Sequence, residues 1–228
     1  MNVLELFAGS RSFSKVAEEF GHKTYTTDFK PFDKIDQVCD IFDFDISKIP
    51  FQPDIIWASP PCYTFSVASI GHHWTGGYRA YIPKTEKAKI GLKMVQHTLD
   101  IINELNPKYY YIENPRGLLR KLPVIQSVPI RRTVCYCKYG DDRMKPTDIW
   151  TNDLRWIPRE MCRNGNRDCH HQAAPRGSRT GTQGLKGNYE RSIVPKQLCE
   201  EILKEKMTNA EILFKIIKEE INHDIGER

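Results

Sequence analysis

Short apolar runs of strand length alternate with segments of helical periodicity almost from the first residue of this chain. That order restricts the fold strongly. Strands separated by helix-length crossovers pair in parallel, and their crossovers cover both faces of one sheet. Asn2–Phe7 reads as a first strand and Ser12–Phe20 as a helix stopped by Gly21. Lys23–Thr27 is a second strand closed by Asp28, Gln37–Cys39 a short third before Asp40, and Asp54–Ala58 a fourth. Thr85–Asn106 carries Ile90, Met94, Val95, Leu99, Ile101, Ile102 and Leu105 in a helical pattern. Tyr109–Ile112, Thr133–Cys137 and Asp148–Thr151 follow as strands, then a helix over Pro195–Lys206 with proline in its first turn. Thr208-Asn-Ala-Glu211 is a capping box opening a last amphipathic helix to about Ile221. The expected class is α/β, a doubly wound mixed sheet with helices on both faces and no internal repeat.

The strand ends carry the unusual residues, and in open α/β sheets ligands bind outside the carboxyl ends of strands. Asp54-Ile-Ile-Trp-Ala-Ser-Pro-Pro-Cys62 is an apolar strand halted by two prolines, which cannot continue a ladder. The turn they force delivers a thiol to a ligand-binding edge, as a nucleophile or, on the blander reading, as a small buried hydrophobe. Phe7-Ala-Gly-Ser-Arg-Ser12 forms the first strand-to-helix turn, where glycine allows close approach of backbone to ligand. It lacks the Gly-x-Gly-x-x-Gly spacing of dinucleotide sites. Asp28 and Asp40 close successive strands, an arrangement suited to the hydroxyl and amine donors of a nucleoside such as S-adenosylmethionine. Each acid alone reads equally as a cap. Between Tyr63 and Pro83 lies a long stretch with Gly71, Gly76, Gly77, Trp74, Tyr78 and Tyr81, a length at which loops are functional or mobile.

Composition adds bounds. The 228 residues, 39% apolar and 28% charged, suit one soluble core with room for a small module. No apolar run approaches the roughly 18 residues of a membrane span, and the first residues run directly into a strand. Neither a secretory signal nor membrane association is therefore expected. Seven cysteines, an odd number, read as reduced thiols, metal ligands or a catalytic sulfur in the cytoplasm rather than a disulfide frame. The net charge of +5 is concentrated late in the chain. Arg155, Arg159, Arg163, Arg167, Arg176, Arg179, Lys186 and Arg191 face only Glu160, Asp168 and Glu190, on backbone rich in Gly, Asn and Thr. A polyanion partner fits this stretch, and so does a solvated surface loop.

Leu6-Phe7-Ala8-Gly9, Ser59-Pro60-Pro61-Cys62-Tyr63-Thr64-Phe65-Ser66 and Glu113-Asn114-Pro115 resemble, in order and strand placement, the cytosine-5 DNA methyltransferases. The resemblance spans most of the chain and is closest to short phage-type and bacterial members, which it also matches at Lys145-Pro-Thr-Asp-Ile-Trp150 and Ala174-Pro-Arg-Gly-Ser178. It implies a Rossmann-like class I S-adenosylmethionine-dependent fold, in the cytoplasm of a bacterium or of a phage-infected host. It implies that Cys62 attacks cytosine C6, that Glu113 bonds the ring at N3 and the exocyclic amine, and that Arg131 supplies the base and phosphate contact. Cofactor contacts implied are Phe7, Ala8, Gly9, Ser10, Arg11, Ser12, Asp28, Phe29, Asp40, Ile41, Ser59, Pro60 and Ser192. Arg131-Arg132-Thr133 matches the family's arginine pair only roughly, and the register stays open. Arg11 and Ser12 stand where many members carry two glycines, and Ser192-Ile-Val-Pro195 replaces an Asn-Ala-Val-Pro-like motif. A cytosine inside a duplex must be flipped out to meet such a site, and the Tyr63–Pro83 stretch is the natural lid.

Cys137, Cys162, Cys169 and His170 offer soft ligands for a structural Cys₃His zinc site, with His171 and Cys135 as alternates. Residues 1–137 then form the catalytic and cofactor-binding core, 138–188 a short basic target-recognition segment, and 189–228 helices returning to the core. Three alternatives stay open: an RNA or tRNA cytosine-5 methyltransferase, an amino-methyltransferase of the Ser-Pro-Pro-aromatic kind, and a non-catalytic nucleic-acid binder.

Overall fold

A computed structural model describes residues 1–77, 80–173 and 187–207. Tyr78, the Ala174–Ser178 motif, Arg176, Arg179, Lys186 and the expected helix from Thr208 lie outside the described residues. The central sheet has seven strands. β1 (Asn2–Leu6), β2 (Lys23–Asp28), β3 (Gln37–Val38), β4 (Ile55–Ala58) and β7 (Tyr109–Pro115) run parallel in the order β3-β2-β1-β4-β7. β9 (Pro146–Thr151) joins β7 antiparallel, and β8 (Ile130–Cys135) closes the edge against β9. Between β4 and β7 the chain makes a small hairpin, β5 (Trp74–Thr75) with β6 (Ile82–Pro83), after the one-turn helix α2 (Ile70–His73). The expected loop therefore has structure of its own.

Side-chain alternation along the strands divides the core in two. Leu4, Leu6, Ile56, Ala58 and Ile112 face α3 (Glu86–Leu105), packing with its Val95, Leu99, Ile102 and Leu105. Val3, Ile55, Trp57 and Tyr111 face the other way, against Phe13, Val16 and Ala17 of α1 (Ser12–Glu19) and Leu198, Ile202 and Leu203 of α5 (Lys196–Lys204). Strands buried on both faces read as near-continuous apolar runs, and β4 is buried throughout. A fully buried apolar side chain stabilises by about 1.5–3 kcal/mol, so the sheet is the rigid frame for whatever its edge presents. Thr85 caps α3 by accepting from the Ala88 N–H, which fixes where that helix begins. Among the described residues no helix is long and apolar enough to cross a membrane.

Several boundaries differ from expectation. β7 continues through Pro115 because β9 supplies ladder partners as far as Thr147. Glu113 therefore sits inside a strand. β8 begins at Ile130, so Arg131 is a strand residue, and it stops at Cys135, leaving Cys137 in the turn Tyr136–Tyr139. β9 lies within the stretch expected to recognise a target, yet it is a strand of the main sheet. The irregular basic segment begins only after Thr151.

Candidate active site

The strand order reverses between β1 and β4, and Gly9 and Cys62 follow the carboxyl ends of these two strands. After Leu6 the backbone takes positive φ at Phe7 (57°), Gly9 (34°) and Arg11 (52°), and the Ala8 N–H donates to the Thr27 carbonyl at 2.9 Å. Glycine is the residue that tolerates this best, and the Gly9 N–H donates to Asp28 Oδ2 at 2.9 Å. The Lys30 N–H donates to Asp28 Oδ1 at 2.9 Å. Each carboxylate oxygen keeps a free lone pair, so Asp28, buried but for 8% of its surface, can still accept from a ribose. Phe29 is 65% exposed beside it, with Lys30 Nζ 5.3 Å from its ring centroid. Asp40 is exposed and accepts from the Phe42 N–H at 3.1 Å, capping the turn that carries buried Ile41.

Two of the expected cofactor residues are committed differently. Arg11 is buried and its guanidinium pairs with Glu18, so its side chain braces α1 rather than reaching the turn's open side. Ser192 Oγ donates to the Tyr189 carbonyl at 2.7 Å at the end of α4 (Asn188–Ser192). The late segment still meets the first turn, because the Val194 N–H donates to Ser12 Oγ at 3.1 Å and Ser12 Oγ lies 2.7 Å from Ser10 Oγ. Ser10, Ser12, Tyr189, Ile193 and Val194 line a cleft of about 550 Å³.

The reacting half is assembled by β4 and β7. Ser59 N–H donates to the Leu6 carbonyl and Ser59 Oγ accepts from Trp57 Nε1 at 3.0 Å, after which the prolines leave the ladder. Asn114, fully buried, donates from Nδ2 to the Pro60 carbonyl at 2.8 Å. This bond ties the Pro-Pro turn bearing Cys62 to the strand bearing Glu113. Beyond the thiol, the Phe65 and Ser66 N–H groups donate to the Cys62 carbonyl, and the Leu118 N–H donates to the Phe65 carbonyl. Space under this turn is tight: a Cβ on Gly91 of α3 would sit 2.9 Å from Thr64 Oγ1.

Glu113 is 5% exposed and on the α5 side of the sheet, in register with Ile149. Its Oε1 accepts from the Tyr136 hydroxyl at 2.8 Å and lies 4.0 Å from Lys145 Nζ. Lys145 Nζ stands 4.5 Å above the Tyr136 ring and donates to the Arg191 carbonyl at 2.9 Å. Burial holds the Lys145 ammonium below its ordinary value, against the opposing pull of Glu113 and Cys62. Burial and then the Glu113 carboxylate push the Cys62 thiol up, while Lys145 and Arg191 draw it back. The Tyr136 phenol is raised far above its ordinary range by burial and by Glu113, which keeps it a donor.

Arg131 is a correction. It is exposed and pairs with Trp150, which pairs with Ile112 on the α3 side, so it faces away from Glu113. Alternation along the strand decides this, and it gives Arg132 the register of Glu113 through Ile149. The cations that act on Cys62 are Lys145, at the head of Lys145-Pro-Thr-Asp-Ile-Trp150, and Arg191. In sequence the signal for Lys145 is its place at the head of that motif, whereas its backbone φ of 25° is visible only in the structure. Asn114 and Tyr136 were missed as well, because their roles lie across strands.

Cys137, Cys162 and Cys169 do converge, and the fourth member is His171, not His170. His170 is exposed with its Nε2 3.1 Å from the Asp141 carbonyl oxygen, while the next ring is buried against the sulfurs. Cys135 points its sulfur toward the Cys162 carbonyl at 3.6 Å and stays outside the group. The basic stretch is partly structural: Arg159 binds Glu201 and Gln197 and stacks on Tyr139.

Residues 1–123 match the profile of the family described as C-5 cytosine-specific DNA methylase. The chain is 31% identical over 178 residues to an inferred DNA (cytosine-5)-methyltransferase of Frog virus 3 (isolate Goorha), covering 74% of this chain and 80% of that protein. Among solved structures it resembles a candidate DNA modification methyltransferase encoded within an E. coli prophage, with TM-score 0.50 and 14% identity over 72% of this chain and 52% of that one. The S. pombe Dnmt2 methyltransferase aligns with TM-score 0.45 and 15% identity over 71% of this chain and 53% of that one. The chain thus spans about half the length of these solved structures.

Proposed function

This chain belongs to the C-5 cytosine-specific DNA methylase family, and we propose that it transfers a methyl group from S-adenosylmethionine to C5 of a flipped-out DNA cytosine through a Cys62 adduct. The observation that carries the reading is Cys62, in the turn after β4, locked by Asn114 to the neighbouring strand β7 that carries Glu113. S-adenosylmethionine fits the residues present: Gly9 puts no Cβ in the turn, Asp28 has spare acceptor capacity, and Phe29 is an exposed ring. When bound it supplies an electrophilic methyl on a sulfonium.

The chain's own residues account for the rest. Cytosine C5 is a poor nucleophile until C6 is occupied, and a thiolate is a suitable adding group. Cys62 gives its proton to solvent and its sulfur adds to C6; the C5=C6 electrons move toward N3, where Glu113, protonated once the base is bound, donates while accepting from the exocyclic amine. Tyr136 holds the Glu113 carboxyl in place, and Lys145 supplies the positive charge beside both groups that Arg131 was expected to bring. C5 then takes the methyl group, the C5 proton leaves, the S–C6 bond breaks, and 5-methylcytosine and S-adenosylhomocysteine are released. The hairpin of β5 and β6 with its preceding turn is the lid, anchored by Trp74 Nε1 donating to the Thr64 carbonyl at 2.7 Å. In this reading the basic segment after β9 contacts DNA, the protein works in the cytoplasm, and a second cofactor, structural zinc, sits at Cys137, Cys162, Cys169 and His171.

The test is methyl transfer from labelled S-adenosylmethionine to duplex DNA and, in parallel, to tRNA. Nucleoside analysis then separates 5-methylcytosine from N4-methylcytosine and N6-methyladenine. We expect 5-methylcytosine in DNA and none from Cys62→Ser. Equal transfer by both proteins, or an amino-methylated product, refutes the thiol mechanism.

A further inference from the structure

Resting on the zinc reading above, we infer that one ion bound by Cys137, Cys162, Cys169 and His171 fastens the basic segment after β9 to the turn that carries Tyr136, and so couples DNA binding to the placement of Glu113. The four ligand atoms lie within 4.8 Å of one another, and Cys162 Sγ is 3.7 Å from His171 Nδ1. A tetrahedral ion with Zn–S near 2.3 Å and Zn–N near 2.0–2.1 Å requires ligand separations of about 3.5–3.8 Å. The group thus surrounds a single point. Three thiolates and an imidazole are the donor set of a closed structural site, with no position left for substrate. An odd number of thiols cannot all be satisfied by disulfides, and all of them are free.

The loop also builds the outer surroundings such a site needs. Cys162-Arg-Asn-Gly-Asn166 turns on Gly165 (φ 74°), which brings Asn166 Nδ2 to 3.8 Å from Cys162 Sγ as a donor to sulfur. The Asn166 N–H closes the turn on the Arg163 carbonyl, and the Cys169 N–H donates to the Asn166 carbonyl. His171 is 7% exposed, its Nδ1 faces sulfur, and its Nε2 has no hydrogen-bond partner. Nδ1 is therefore the ring nitrogen placed to bond a metal held by the sulfurs.

Arg159, through Glu201, Gln197 and Tyr139, ties the start of the segment to the core, and the Gln172 N–H donates to the Asp142 carbonyl just past its end. From Ile157 to His171 there is no strand or helix, and Ile157 (73%) and Met161 (45%) are exposed. Ligand bonds therefore replace a hydrophobic core, as in small metal-stapled modules. Cys137 anchors the ion to the fold's frame, and the adjacent Tyr136 donates to Glu113. Losing the ion frees the Cys162–His171 loop and releases Cys137, which loosens the Tyr136–Tyr139 turn although Tyr136 and Tyr139 stay buried in the core. β1 to β4 and the Asp28 site, which share no ligand with it, stay intact.

The experiment uses the full chain purified without chelator. Elemental analysis of the wild type should find about one zinc per chain. His171→Asn should lose it and His170→Asn should retain it. His171→Asn, and wild type stripped by a chelator, should then bind duplex DNA roughly tenfold or more weakly and lose kcat in similar proportion. Calorimetric binding of S-adenosylmethionine should be unchanged, and re-added zinc should restore the stripped wild type. Wild type without zinc, whether it holds iron instead or a Cys162–Cys169 disulfide, overturns the metal reading and the coupling with it. Zinc present and lost in His171→Asn, with DNA affinity and kcat unchanged, overturns the coupling alone. The metal content stands as a readout even if DNA is not the methyl acceptor.

Discussion

Replacing Tyr136 by phenylalanine removes one oxygen atom from a fully buried ring and leaves its packing volume nearly unchanged. The lost interaction is the 2.8 Å hydrogen bond to Glu113 Oε1, a bond to a charged acceptor in a dry setting. Such bonds are worth about 1.5–3 kcal/mol. The phenol remains a donor across any assay pH, because its value is raised far above 10. The sign follows: its contribution is fully present below the unfolded value of about 10 and is lost only as pH climbs above it. In Tyr136→Phe, Glu113 keeps only Lys145 at 4.0 Å, a contact that fixes neither carboxylate oxygen. If Glu113 must hold one orientation against the base, about 1.5–3 kcal/mol becomes a loss of roughly 10- to 150-fold in kcat. The melting temperature should fall by about 3–12 °C. Tyr111→Phe is the control. It deletes a buried hydroxyl, bonded to Asp153 Oδ2 at 2.7 Å, on the same strand and face but away from Glu113. Both variants should lose stability, and only Tyr136→Phe should lose kcat at saturating S-adenosylmethionine and DNA. Equal kcat in the two variants would show that Tyr136 is a packing residue and that Glu113 is oriented by other means.

Two further outcomes follow from the electrostatics of the site. The Cys62 thiol is held above its ordinary value by burial and Glu113, so less than about a tenth is thiolate at pH 7.5. Its alkylation by iodoacetamide, followed by mass spectrometry, should rise roughly tenfold per pH unit up to about pH 9, and Lys145→Met should slow it further. A plateau below about pH 8 contradicts this. Asp28→Ala removes the acceptor for the Gly9 and Lys30 N–H groups and should weaken S-adenosylmethionine binding in calorimetry by at least about tenfold without DNA present. An unchanged Kd would mean the nucleoside lies elsewhere.

The strands, their alternation with helices and the special residues at their ends were legible in order, because each is written in local periodicity and in residues that stop a ladder. Gly9, Asp28 and Cys62 could be read that way, since proline, glycine and a closing acid act within a few residues of themselves. What sequence left undecided was everything set between strands. β7 extends to Pro115 because β9 is there to pair with it, Arg131 faces the wrong side because its neighbour's register says so, and His171 displaces His170 because one ring of two adjacent residues points inward. Asn114, Tyr136 and Lys145 lie 52 to 83 residues from Cys62 along the chain, and the packing of the sheet brings them around Glu113 and Cys62 through contacts no local pattern encodes. The sequence by itself determined the chemistry on offer: a thiol, an acid and a nucleoside edge. Tertiary structure alone decided which cation accompanies them and which imidazole closes the cysteine group. The reason is physical: hydrogen bonding and alternation within a strand are local, whereas register and burial depend on partners distant in sequence.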